Sequence, residues 1–442
     1  MMRRVMMTGG AMLTLLSAAA PAQVAQVPKA QAASTLPATQ ALFDGYVRSG
    51  KMPGIVAAIG RPGQPPMFVA AGRIAAEPNA PAATPDSLWR VYSMTKPITA
   101  MAAMILVEEG RLKLDQPLSD IYPAYKQMRV LTNPQASLDS RPATNPITIR
   151  ELMTHTAGLG YSFTAKGPLL KEYERLGLVP FAANAQVEAV VRPTRPATLQ
   201  QFAERAATAP LIAEPGTRWS YSMGLDVLAA VVEKVSGMPF ERFVQTRLFT
   251  PLKMNSSYWQ VPASAANRLV TNYTFVGDTM VPVDPAATSV FRLAPSFPYG
   301  GAGLVMSARD YDRFLQMLQN EGQVDGVRVM KPETVRLAMS NLLPAGVTYG
   351  SVTGASGGSG GEVPTGYGAG GSVTLADTPG GPGKGTYGWG GAAGTIAYVD
   401  PTRHVRGTVM VNYFPADRYP LRGDLAAALY KDLGKDLGRM AK

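Results

Sequence analysis

The strongest constraint on this chain is that its strand-like segments lie near its two ends. Two short apolar runs, 54–59 and 67–71, flank the turn residues Arg61-Pro62-Gly63-Gln64-Pro65-Pro66, the pattern of a hairpin. Near the other end, 394–399 and 405–413 flank Asp400-Pro401 in the same way. Between the two pairs, apolar residues recur at helical spacing and predict helices over 97–110, 148–155, 198–207, 223–236, 240–247 and 309–320. Helices are also expected over 39–48, where Leu42, Phe43, Tyr46 and Val47 share a face, and over 421–440. Strands need neighbours, so the two ends must meet. The expected fold is α/β of the α+β type: an antiparallel β-sheet flanked by N- and C-terminal helices, with a mostly helical lobe inserted. The α/β lobe is expected over 35–90 and 300–442, and the helical lobe over 91–299.

Composition narrows the chemistry. The 442 residues include no Cys and two His, which removes thiol nucleophiles, disulfides and thiolate metal sites, and leaves little for a histidine-based triad. Neither a cofactor nor a metal is expected. The net charge of +11 invites a nucleic-acid partner, but the basic residues are scattered rather than gathered into a patch, so no such partner is expected. Residues 1–22 have the parts of an export signal: Arg3-Arg4, an uncharged apolar run from Val5 to Leu16, and Ala20-Pro21-Ala22 before an expected cleavage at Gln23. A linker over 23–34 follows, and a periplasmic or secreted location is expected. No later segment is long and apolar enough to span a bilayer, so stable membrane insertion is not expected.

Residues 350–388 are Gly-rich and nearly uncharged, which reads as flexible loop. Ser356 and Ser359 there each match Gly-x-Ser-x-Gly. That motif works on a strand–turn–helix, and neither flank supplies one, so both matches read as products of composition.

A better nucleophile stands at Val91-Tyr92-Ser93-Met94-Thr95-Lys96-Pro97, at the start of a helical run. Ser93 and Lys96 are three apart, one turn on a common face, and no other Ser-x-x-Lys pair occurs in the chain. A buried lysine beside a serine offers nucleophile activation without histidine. Read structurally, Ser93 would instead be a helix cap and Lys96 a surface residue. Two further stretches favour the chemical reading. Glu214 to Gly224 is a turn-rich approach to a helix, with Tyr221 just before it, and Tyr387-Gly388-Trp389-Gly390-Gly391-Ala392 leads into a strand.

These stretches, with Leu152 to Leu159, Pro215 to Met223 and Gly300 to Leu304 between them, resemble the serine hydrolases of the class C β-lactamase and penicillin-binding-protein fold, most closely the family VIII carboxylesterases. The resemblance covers 35–440. It implies Ser93 as the acylated nucleophile, Lys96 and Tyr221 as the proton-handling pair, and the backbone N–H groups of Ser93 and Ala392 as the oxyanion hole. It also implies a substrate pocket touched by Met223, Trp389, Gly390 and Gly391. Two departures from the β-lactamase branch bear on substrate. Met223 stands where those enzymes carry an amide-binding Asn, and Trp389-Gly390-Gly391 replaces Lys-Thr-Gly; Lys384-Gly385-Thr386 nearby reads as loop. Loss of a donor and a cation disfavours anionic β-lactams and favours neutral esters.

The expectation is therefore an exported serine esterase cleaving small short-chain carboxylic esters through an acyl-enzyme. The alternatives are a class C-type β-lactamase or D-alanyl-D-alanine peptidase, and a non-catalytic penicillin- or peptidoglycan-binding homologue. His155, closing its helix, reads as a cation or hydrogen-bonding ring at a C-terminus, and His404 as a surface residue. Asp310 and the scattered acids lack the pairing that glycosidase or two-metal chemistry needs. Met101 and Met104 read as core.

Overall fold

A computed structural model describes residues 36–179, 181–350, 363–378 and 381–437. The expected export signal, the linker 23–34, and Ser356 and Ser359 lie outside the described residues.

The two ends of the chain meet in a seven-stranded antiparallel sheet. Its order is Thr365–Tyr367, Ser372–Thr374, Tyr387–Gly390, Ile396–Asp400, Val405–Met410, Gly54–Gly60 and Met67–Gly72. Val56 pairs with Met410 on one side and Ala70 on the other, which joins the first hairpin to the last. Every residue of Gly54–Gly60 is buried, because both faces of the sheet are covered. Side chains alternate between the two layers. Ile55, Ala57 and Ile59 face Phe43, Leu425 and Leu429 of the terminal helices Pro37–Arg48 and Leu421–Leu437. Val56 and Met410 instead belong to the larger core, with Ile98, Met101 and Met104. The helices Thr95–Glu108 and Ala308–Gln319 sit on that side.

The α+β architecture expected from the sequence is the one observed, and among the described residues the predicted helices form within three residues of their expected ends. The 240–247 segment is split, with α-helix over Phe240–Val244 and a wider π turn over Gln245–Phe249. The region expected to be mostly helical also carries a hairpin, Asn272–Val276 with Thr279–Asp284. A larger correction concerns 350–388, read as flexible loop: two strands of the main sheet, Thr365–Tyr367 and Ser372–Thr374, lie within it, and a third, Tyr387–Gly390, begins in it. The glycines on these strands are there for close packing. A Cβ on Gly388 would come within 2.1 Å of the Ala397 carbonyl oxygen, and one on Gly366 within 2.5 Å of Asn341. Strands built this way lack the apolar alternation that reveals strands in a sequence. Lys384-Gly385-Thr386 is a turn, as expected.

Candidate active site

Ser93 lies in a single 3-10 turn, Tyr92–Met94, that runs directly into the helix Thr95–Glu108. The one-turn spacing brings Lys96 Nζ to 3.2 Å from Ser93 Oγ. Lys96 is 1% exposed and so is no surface residue; it also donates to the Gly301 carbonyl at 2.7 Å. Tyr221 arrives from the loop before the helix Gly224–Ser236, and its hydroxyl donates to Ser93 Oγ at 2.7 Å. The Lys96 ammonium stands 4.6 Å from the Tyr221 ring centre. Three groups that were 128 positions apart at most thus share one oxygen.

The turn is held from several sides. Tyr92 adopts φ +41°, a left-handed conformation that costs a non-glycine residue about 1–3 kcal/mol. Its ring is enclosed by Phe181, Phe291 and Phe414, with centroids 5.8, 5.9 and 5.4 Å away, and Asn272 donates to its hydroxyl at 3.1 Å. Below the turn, Tyr311 donates to the Met94 carbonyl at 2.9 Å. Ser93 remains partly exposed between the fully buried Tyr92 and Met94, so an incoming group can reach it.

Tyr221 is positioned by a loop zipped against residues 155–160. Gly216 donates to Thr156, Ser220 to His155 and Met223 to Gly160, at 2.9, 2.8 and 3.0 Å. His155 is fully buried and ends its helix in the left-handed region at φ 58°. Its Nδ1 lies 3.0 Å from Ser222 Oγ and accepts the Ser222 N–H at 3.2 Å, which assigns the neutral ring with its proton on Nε2. Burial, and secondarily the Lys96 charge, hold its pKa well below the usual histidine range. Of the two roles its helix-terminal position suggested, cation or hydrogen-bonding ring, His155 takes the second. His404 is exposed in a turn, as expected.

On the opposite side, Trp389 on the strand Tyr387–Gly390 packs 5.8 Å from the Tyr221 ring and is 2% exposed. Gly391 closes on the Ser93 turn: a Cβ there would come within 2.4 Å of the Val91 carbonyl oxygen. Ala392 follows in a tight turn closed by Gly394 N–H to Gly391 O at 3.0 Å, and it packs against the cluster containing Tyr92. Like Ser93, Ala392 is partly exposed. Met223 is 1% exposed and packs in the core, and the other expected pocket residues, Trp389, Gly390 and Gly391, are buried as well. A cavity of about 610 Å³ runs along Tyr161, Trp219 and Tyr221, with Leu169 and Ile212 in its walls.

Sequence reasoning did not single out Tyr161 or Asp226. Asp226 is fully buried; its Oδ1 accepts the Gly301 N–H at 2.8 Å and its Oδ2 the Tyr161 hydroxyl at 3.1 Å. The available signal was an acid inside the apolar stretch Leu225 to Val232, where a carboxylate needs a reason to be.

The profile of the family described as Beta-lactamase matches residues 39–431. The chain is 35% identical over 358 residues to Protein Rv1367c of Mycobacterium tuberculosis, covering 78% of this chain and 81% of that protein. It is 30% identical over 376 residues to the lovastatin esterase of Penicillium rubens, covering 80% and 86%. Among solved structures, it is similar to EstCE1, a hydrolase with promiscuous acyltransferase activity, with TM-score 0.70, 27% identity and coverage of 90% of this chain and 98% of that one.

Proposed function

The chain belongs to the beta-lactamase family and is a serine hydrolase, and from that premise we propose that it is a carboxylesterase working through an acyl-enzyme on Ser93. The observation that carries this reading is the convergence of Tyr221 and Lys96 on Ser93 Oγ, at 2.7 and 3.2 Å. Ser93 Oγ bonds to the ester carbonyl carbon, and its proton passes to the Lys96–Tyr221 pair. The carbonyl oxygen takes the electron pair and meets the N–H groups of Ser93 and Ala392. As the ester bond breaks, the pair returns the proton to the leaving alcohol. Water then repeats the sequence and frees the acid.

Substrate preference follows from what surrounds the centre. Where the β-lactamase branch has a cation and an amide side chain, this chain has Trp389 and the buried Met223, which favours uncharged esters over β-lactams. The export signal read in residues 1–22 supports a periplasmic or secreted enzyme.

Purified protein is expected to hydrolyse p-nitrophenyl acetate and butyrate and to turn over nitrocefin far more slowly. Ser93→Ala should abolish ester cleavage, while Ser356→Ala and Ser359→Ala should leave it intact. Activity retained in Ser93→Ala would sink the assignment. Nitrocefin turnover above ester turnover would favour a β-lactamase. A fluorophosphonate that never labels Ser93 would favour a binding protein.

A further inference from the structure

Lys96 is a buried ammonium with no carboxylate at ion-pair distance among the described residues, and it donates instead to a hydroxyl and a carbonyl. A charge so placed needs an opposite charge nearby or it gives up its proton. Asp226 faces it across Gly301 and Tyr161, and both of these touch the two charges. Gly301 donates its N–H to Asp226 and accepts from Lys96 through its carbonyl. Tyr161 donates its hydroxyl to Asp226, and its ring centre lies 5.4 Å from Lys96 Nζ. The fit leaves no slack, since a Cβ on Gly301 would come within 2.6 Å of Asp226 Oδ2 and of the Tyr161 hydroxyl. Both carboxylate oxygens accept hydrogen bonds from donors, which is the arrangement of an ionised acid.

We infer that Asp226 is a positioning residue for ester cleavage: it is the buried counter-charge that pins Lys96 to the Gly301 carbonyl and sets the pH range in which the Ser93 centre works. This rests on the Ser93–Lys96–Tyr221 reading. Burial pushes the Asp226 carboxyl above its ordinary range, and the Lys96 charge is the largest influence pulling it back. The other groups facing the pair supply no competing cation. Tyr161, Tyr221 and Tyr299 are phenols, His155 is neutral, and Arg195 beyond Tyr299 is paired with Glu188.

Asp226→Asn keeps the shape and an acceptor for Gly301 while removing the charge. A nearby negative charge raises the pKa of both an ammonium and a phenol, so its removal lowers both. Both limbs of the pH profile of kcat/KM should therefore move to lower pH, by about one unit, with a lower maximum. A purely structural role would lower the rate and leave the limbs in place, and that result would overturn the inference. The second measurement is independent of activity and of whether Asp226→Asn folds alone. Lys96→Met should lower Tm by stranding Asp226, and Lys96→Met with Asp226→Asn should recover much of that loss. A double variant no more stable than Lys96→Met would overturn the counter-charge. Ester activity surviving in Ser93→Ala would instead remove the reading on which the inference rests.

Discussion

Two buried cations, Arg406 and Lys96, are held in opposite ways. Arg406 joins the sheet to the helix Ala308–Gln319 and is saturated: Nε and Nη2 meet the two oxygens of Asp312 at 2.8 and 3.1 Å, and Nη1 meets Gln319 at 2.7 Å. Gly60 makes room for it, because a Cβ there would lie 2.1 Å from the guanidinium carbon. Arg90 is treated alike by Asp284 and Ser289. Lys96 is denied such a pairing, and its acid is set one residue further away. A fork bound to a carboxylate fixes geometry and has no proton to trade. An ammonium bound to a hydroxyl and a carbonyl can change its protonation and still be held.

That difference is open to direct test. Arg406→Met strands the buried Asp312 and should cost about 3–5 kcal/mol of stability, read from urea unfolding. Lys96→Met should lower ester turnover by about a thousandfold or more. Its loss of stability should be smaller than that of Arg406→Met, because Asp226 keeps its two hydrogen-bond donors. If Lys96→Met unfolds as readily as Arg406→Met, the two cations are equivalent and the distinction fails.

The sequence revealed the Ser93–Lys96 turn because a helix converts spacing three into contact, with no help from the rest of the fold. The terminal helices and their neighbouring strands were legible for the same reason, each having a strong local period. Tyr221 could be picked out only by its motif, since its approach to Ser93 depends on the loop zipped to residues 155–160. The strands at 365–367 and 372–374 were hidden by glycines that packing requires. For His155 the helix terminus left a cation and a hydrogen-bonding ring both open, and complete burial decides for the neutral hydrogen-bonding ring. Asp226 stayed unnoticed because its importance lies in Gly301, which is 75 positions away.

Glu151 sharpens the comparison from the acid side, as a mostly buried carboxyl given hydrogen bonds and no cation of its own. It closes a capping box with Thr148, while its neighbour Arg150 pairs with Asp115. Burial pushes the Glu151 carboxyl up to about 7 from the ordinary 4.5. Between those two values the folded protein holds a proton that the unfolded chain has released, so stability falls as pH rises through the window. Glu151→Gln retains the capping acceptor and removes the titration. It should lessen the loss of stability between pH 5 and pH 8 by about 2 kcal/mol relative to the parent. An unchanged difference in unfolding free energy between those two pH values would show that Glu151 is ionised throughout.

Asp432 marks the other extreme, an acid whose whole role is structural and whose partners come from the far end of the chain. The helix Pro37–Arg48 begins at Leu36, which has no side chain to cap it. Asp432 does so instead: Oδ1 accepts the Ala38 N–H at 2.8 Å, and Oδ2 accepts the Thr39 N–H and hydroxyl at 2.8 and 2.7 Å. Its negative charge also faces the positive end of that helix. Asp432→Ala should cost about 1 kcal/mol, the usual worth of a cap, because water can still reach these partly buried groups. Since the terminal helices cover the sheet face away from Ser93, kcat and KM for ester hydrolysis should not change. A drop in kcat at a temperature where the variant is fully folded would mean that this layer is coupled to the centre, and the separation between structural and reactive charge would not hold across the sheet.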